Sequence, residues 1–405
     1  MEQKKKIVSD SIWSIAGLVF MNVAMQFAVY PLWERRAGEV ALGNILYLIS
    51  LMNIFAISLG VAVNYARMRK SATDTTSNSP YFGVLLGTTV VAFAAAMLIA
   101  FFGGVEMTLP EALLFGGLTV ATMWRYYADV EFKLYLNYKS FFLYYTIIGV
   151  GYLVGIALFY VTGLWPLTLL VGEIFGLIYV LLRGKVLRID GPIYGSDTGE
   201  LVKLVLILFG SEAISNLIFN ADRIMLKPIL GAEAVTEYYL ASLLGKTIAL
   251  LTVPLSGVVI GYLSKYKGDL SLKAMNLIFA GSLVCAVLGT AACTVGSYII
   301  IPILYPDQMA DIKQYFIVTN LSQVLYFIAN VITVILLRFA KSRYQLYVNV
   351  VYAVAFAAIC IPSALLGGFW GFCIGLLATC TIRFAVAVAL GYFSIISTKR
   401  KRATE

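Results

Sequence analysis

The sequence predicts an all-α polytopic membrane protein of about 12 transmembrane helices in two six-helix lobes, related by a pseudo-twofold along the membrane normal. Three observations carry that prediction. Of 405 residues, 61% are hydrophobic and 13% charged, against about 25% charged in a soluble domain. Apolar runs of about 20 residues recur from end to end, parted by short charged or Pro/Gly breaks. Basic residues fill every second joint between those runs, which is the positive-inside pattern.

The opening MEQKKK has the charge of a signal peptide. The apolar run behind it is too long for one and lacks a cleavage site, so it is read as the first span. Spans are expected at 11–33, 41–65, 81–103, 110–132, 140–162 and 165–183, then at 201–228, 234–262, 274–301, 311–337, 344–366 and 369–396. Most of the 30 basic residues collect on one side, as in Lys4 to Lys6, Arg67 to Lys70, Arg183 to Arg188 and Lys399 to Arg402. Glu34, Glu39, Glu106, Glu111, Glu233, Asp307 and Asp311 occupy the other. The rule therefore places the chain in the plasma (cytoplasmic or inner) membrane with both termini cytoplasmic. The net charge of +9 is spread over seven short segments, which argues against nucleic acid as a partner.

The polar connection from Arg183 to Gly199 divides the chain into an N-terminal lobe, 1–190 with helices 1–6, and a C-terminal lobe, 191–405 with helices 7–12. A weak repeat crosses it. Gly38 and Ala41, entering the second span, align with Gly231 and Ala234, entering the eighth; Tyr138-Lys139-Ser140 aligns with Ala340-Lys341-Ser342. Asn22, Gln26 and Tyr30 on the first span echo the seventh without its charges.

The seventh span carries Glu212, Asn216, Asn220, Arg223 and Lys227 at steps of three and four, one polar stripe on an apolar helix. A charge at mid-bilayer costs about 2.5 kcal/mol or more, so such a stripe faces a cavity, a partner helix or a ligand. Lys227 falls at its rim, and Asp222 projects about 100° from Arg223. The other mid-membrane ionisable groups are Arg125, Glu173, Lys246 and Arg383. Each has a plainer reading as half of a buried ion pair: Arg125 with Asp129 one turn away, unless its aromatic neighbours box it in; Lys246 with Glu212; Arg383 with the unassigned Glu173. The tyrosines near span ends, among them Tyr126, Tyr127, Tyr135, Tyr138, Tyr144 and Tyr145, are read as an interfacial belt.

Histidine is absent and the five cysteines lie in apolar runs without a CxxC pair, which excludes His-based triads, His-ligated zinc and a disulfide framework. No metal or organic cofactor is expected, only a coupling proton or sodium ion. Gly245-Lys246-Thr247 looks like the end of a phosphate-binding loop. Leu240 stands where the motif requires glycine, and the context is a membrane helix, so nucleotide binding is rejected. With no paired catalytic carboxylates and no long outer loop, the chain is not expected to be an enzyme.

Asn220-Ala221-Asp222-Arg223-Ile224-Met225-Leu226, then Leu230-Gly231-Ala232-Glu233-Ala234-Val235 and Tyr239-Leu240-Ala241-Ser242, resemble a helix and turn of polysaccharide repeat-unit (Wzx-type) flippases. These belong to the multidrug/oligosaccharidyl-lipid/polysaccharide exporter superfamily. Arg36-Ala37-Gly38 and Leu42-Gly43 look like the first-half counterpart, while Thr236-Glu237 departs from the family's small and apolar pair. The resemblance implies a V-shaped transporter that moves a polyprenyl-diphosphate-linked oligosaccharide to the outer leaflet, with membrane lipid and other polysaccharide-assembly membrane proteins as partners. Under it, Arg223, Lys246, Arg125 and Arg383, with Asn216 and Asn220, would receive the anionic substrate, and Glu212, Asp222 and Glu173 would bind the coupling ion. The alternative is a multidrug or metabolite cation antiporter on the same scaffold.

Overall fold

The computed structural model describes residues 2–71, 77–194, 198–250, 270–339 and 343–404, and the regular structure of these is helical throughout. Helix α1 (Glu2–Val23) passes through a π-helical turn (Ala24–Val29) into α2 (Tyr30–Ala37). There follow α3 (Glu39–Ser71), α4 (Ser79–Phe102), α5 (Leu109–Ala128) with its short extension α6 (Val130–Leu134), α7 (Tyr138–Thr162) and α8 (Pro166–Arg183). Beyond the polar connection come α9 (Thr198–Leu230), α10 (Ala232–Leu250), α11 (Leu272–Leu304), the single turn α12 (Met309–Ile312), α13 (Phe316–Phe339), α14 (Arg343–Ala355) and α15 (Ile361–Thr404).

Each expected span falls, to within a residue, on helical residues where these are described, four of them (11–33, 110–132, 311–337 and 344–366) over more than one of these helices. The eighth is described to Leu250 only; its remainder to 262, with Pro254, lies outside the described residues. By length and hydropathy, nine described stretches suffice to cross a membrane, and the longest, Tyr344–Ser397, contains two passes. These are parted at Gly368, whose φ of 58° and ψ of −142° interrupt α15. The chain is a multi-pass membrane protein.

Local chemistry explains the boundaries. Thr108 and Glu111 form a reciprocal capping box at the start of α5, where Pro110 loses no helical donor. Asn137 accepts the Ser140 amide to open α7, and Gly163, left-handed at φ 76°, closes it. Gly38 and Gly231, aligned by the sequence repeat, both take positive φ, 88° and 94°. The repeat thus marks two helix breaks at which glycine takes a positive φ without strain.

By packing, the chain forms two compact units, Met1–Ile224 and Met225–Glu405. In the first, α7 and α8 approach at backbone distance. A Cβ on Gly155 would stand 2.3 Å from the Thr168 carbonyl oxygen, and one on Gly151 would stand 2.6 Å from the Gly172 Cα. Such small-residue contacts are how helices associate where lipid removes the hydrophobic drive. At one end of this unit the connection folds back onto the start of α4. Asp190 accepts from the Asn78 amide at 2.7 Å, the Asn78 side chain at 3.0 Å and the Ser77 hydroxyl, while Ser79 Oγ accepts the Asp190 and Gly191 amides, each at 2.8 Å. Arg67 braces the other side of Asn78, donating to its Oδ1 at 2.8 Å.

Candidate functional site

In the first unit, α5, α7 and α8 bring Arg125, Glu173, Tyr152 and Thr122 together in a buried polar knot. Arg125 Nε lies 2.8 Å from Glu173 Oε2, with the two side chains 7% and 2% exposed. Tyr152 donates to Glu173 Oε1 at 2.9 Å, and the Thr122 hydroxyl stands 3.4 Å from the same oxygen. The Arg125 guanidinium also lies over Tyr126, 4.3 Å from the ring centroid, and 5.8 Å from that of Tyr145. The aromatic box expected as one reading of Arg125 is present, while the ion-pair partners expected for Arg125 and Arg383 are not. Arg125 pairs with Glu173 rather than with Asp129, and Glu173 is accordingly not the partner of Arg383. Asp129 instead accepts the Tyr145 hydroxyl at 2.9 Å and lies 3.7 Å from Lys133. The reason is geometric: α8 packs along α7 and α5, so a carboxylate from α8 comes within 2.8 Å of Arg125, while Asp129 at the end of α5 turns toward Tyr145.

The tyrosine reading is corrected in part: Tyr135 is exposed and Tyr126 and Tyr138 half-buried, but the others are not. Tyr127, Tyr144 and Tyr145 are at most 1% exposed, core residues rather than a belt. Tyr145 donates its hydroxyl inward to the buried Asp129 carboxylate.

The polar stripe of α9 does face protein. Asn220 and Asp222 are buried, Glu212, Asn216 and Arg223 partly so, while Ile214 and Leu217 between them are exposed. Asn216 donates to Ser58 of α3 at 3.0 Å, and Asn220 to the Asn216 carbonyl at 2.9 Å. Asp222 caps back onto the Arg223 amide at 2.8 Å. Of these contacts the Asn216–Ser58 bond crosses to α3, and the other two lie within α9 itself.

In the second unit, Lys246 is 8% exposed, its ammonium 5.5 Å from the Tyr238 ring centroid. The neighbouring Gly245 has a packing role that accounts for the false phosphate-loop motif. Its amide donates to Asn320 Oδ1 at 2.9 Å, and a Cβ there would sit 2.9 Å from both that oxygen and Gln323 Cβ. Around it, Gln323 donates to Tyr238 Oη at 2.7 Å and Thr319 to the Ala241 carbonyl at 2.7 Å, binding α10 to α13. Arg383, 4% exposed, donates through Nη2 to Asn330 Oδ1 at 2.7 Å and Asn349 Oδ1 at 3.0 Å. Among the described residues no carboxylate pairs with it.

Among the described residues of this unit the buried charges are Lys246 and Arg383, both positive. Its described acids, Glu233, Glu237, Asp307 and Asp311, lie at the start of α10 and around α12. Among the described residues no group of acids, cysteines or histidines is arranged to hold a metal.

No known family model matches the chain, and no curated protein sequence matches it. Among solved structures it is similar to an inward-facing multidrug resistance MATE family transporter of the MOP superfamily, with 12% identity, TM-score 0.69, and 96% of this chain and 99% of that one covered. It is similar also to the lipid II flippase MurJ in an inward closed conformation, with 15% identity, TM-score 0.71, and 95% and 87% covered. A third is a MOP superfamily transporter from Pyrococcus furiosus, described by the reverse polarity of its binding pocket, with 14% identity, TM-score 0.64, and 98% and 96% covered. The chain has the fold of MOP superfamily transporters.

Proposed function

We propose that this protein flips a polyprenyl-diphosphate-linked oligosaccharide from the cytoplasmic to the outer leaflet of the plasma membrane by ion-coupled alternating access, with both termini cytoplasmic. The observation that carries the reading is the sign of the buried charge in the C-terminal unit, positive at both Lys246 and Arg383. A positive interior of low dielectric attracts a diphosphate and repels an organic cation. The likeness to MurJ is in keeping with a lipid-linked substrate.

In this proposal Arg223 and Lys246 contact the anion, assisted by Asn216 and Asn220. Arg125 and Arg383 contribute mainly their field, one spending its charge on Glu173 and the other held by neutral partners. Glu212 and Asp222 bind the coupling proton or sodium ion, and Glu173 joins them only when its pair with Arg125 opens. Arg223→Ala and Lys246→Ala are each expected to abolish surface polysaccharide while the protein persists in the membrane; normal polysaccharide in both would refute the assignment.

A second reading, export of organic cations, is favoured by the MATE-like fold and by the buried acids Asp129 and Glu173 of the first unit. It predicts ion-driven efflux of such a cation that fails in Asp129→Asn.

A further inference from the structure

Two helices of the C-terminal unit present the same pair of side chains at helical spacing. On α13, Tyr326 and Asn330 are four residues apart; on α14, Asn349 and Tyr352 are three apart, so on each helix ring and carboxamide share a face. The two rings meet at 67° with centroids 5.6 Å apart, forming an aromatic corner. Into that corner comes the guanidinium of Arg383 from α15, its Cζ 4.2 Å from the Tyr326 centroid and 4.8 Å from that of Tyr352. Both carboxamide oxygens accept from its single Nη2, at 2.7 and 3.0 Å.

An arginine can only donate, so both asparagines turn oxygen inward. Two ring faces and two amide oxygens converging on one point are the ligands of a cation, and all four are neutral. Nε and Nη1 of Arg383 are buried and reach no acceptor among the described residues. A carboxylate, the usual answer to a buried guanidinium, is missing from the pairing of this one among the described residues.

We propose that Tyr326, Asn330, Asn349 and Tyr352 form a cation-binding cage for which Arg383 is a tethered ligand, and that the cage emptied of its arginine takes a free guanidinium ion. The tethered form ties α13, α14 and α15 together at mid-length, just before the backbone of α14 loosens into its π-helical turn (Phe356–Cys360). The inference is independent of what the protein transports. Arg383 acts here as a positioning residue.

The test uses purified full-length protein in detergent and thermal unfolding as the readout, which transport does not enter. Arg383→Ala is expected to melt below wild type. Low-millimolar guanidinium chloride should restore most of the loss with a saturable dependence, as a ligand of the folded state does. Sodium chloride at equal concentration should not. Guanidinium should raise neither wild type nor Arg383→Ala carrying Asn330→Leu and Asn349→Leu. If Arg383→Ala melts with wild type, or if guanidinium shifts all variants alike or none, the cage is refuted. Should Arg383→Ala yield no folded protein, Asn349→Asp in the wild-type background decides. A carboxylate added to a neutral cage should raise the melting temperature, whereas a fall would show the arginine already balanced and overturn the proposal.

Discussion

Removing one member of the Arg125–Glu173 pair should cost far more than removing both. The ions are 2.8 Å apart with side chains 7% and 2% exposed, so truncating either strands the other charge away from water. Breaking such a pair costs about 3–5 kcal/mol. The contact is close but off-line for a hydrogen bond, which favours the lower end, about 3 kcal/mol. In a unit of this size each kcal/mol moves the melting temperature by about 2–4 °C, so a drop of about 6–12 °C is expected for Arg125→Ala or Glu173→Ala. Arg125→Met with Glu173→Leu replaces the pair by apolar groups of similar size and should return most of that loss, since such exchanges are often neutral. The assay is a double-mutant cycle on purified protein by thermal unfolding. Single variants that melt with wild type, or a double variant that sums the two single losses, would refute the reasoning.

Four further outcomes follow from local geometry. Gly155→Ala sets a methyl 2.3 Å from the Thr168 carbonyl oxygen, where only backbone could yield; an overpacking loss of about 1–3 kcal/mol is expected. Gly87→Ala, with nothing within 4 Å of its Cβ, should be neutral or stabilising in the same thermal assay. Gly368→Ala should lose about 1–3 kcal/mol, because φ 58° with ψ −142° is a conformation that L residues avoid. Burial would raise the Asp190 carboxyl, but hydrogen bonds from Ser77, Asn78 and Ser79 outweigh it and hold the group below its ordinary value. A lowered folded pKa gives stability that is full above the unfolded value and lost as pH falls through the folded one. The melting-temperature gap between wild type and Asp190→Asn should therefore be present at neutral pH and close on acidification past the ordinary carboxylate range; a gap that widens there would contradict the sign.

Span number and placement were legible because a bilayer imposes a coarse code: long apolar runs and one-sided lysines and arginines are read without knowing any contact. The α9 stripe was legible for the same reason, since helical spacing alone shows that Glu212, Asn216, Asn220 and Arg223 share a face. What that face meets was not, and Ser58 as the partner of Asn216 appears only in the fold. Pairings failed where the competing partner lay on another helix. Asp129, one turn from Arg125, was the local choice, yet Glu173 from 48 positions downstream is the one in contact. Asn330 and Asn349 carried a signal that went unused, a tyrosine at helical spacing from each, because neutral carboxamides in apolar helices draw less notice than charges do.

The most direct test of the account is flipping in reconstituted vesicles. With a fluorescent polyprenyl-diphosphate oligosaccharide in both leaflets and a membrane-impermeant quencher outside, the wild-type protein is predicted to exchange the lipid in response to an imposed proton or sodium gradient. Arg223→Ala and Lys246→Ala should leave the inner pool untouched. Vesicles that fail to move this lipid under either gradient, yet accumulate an organic cation, would contradict the claim and establish the antiporter in its place.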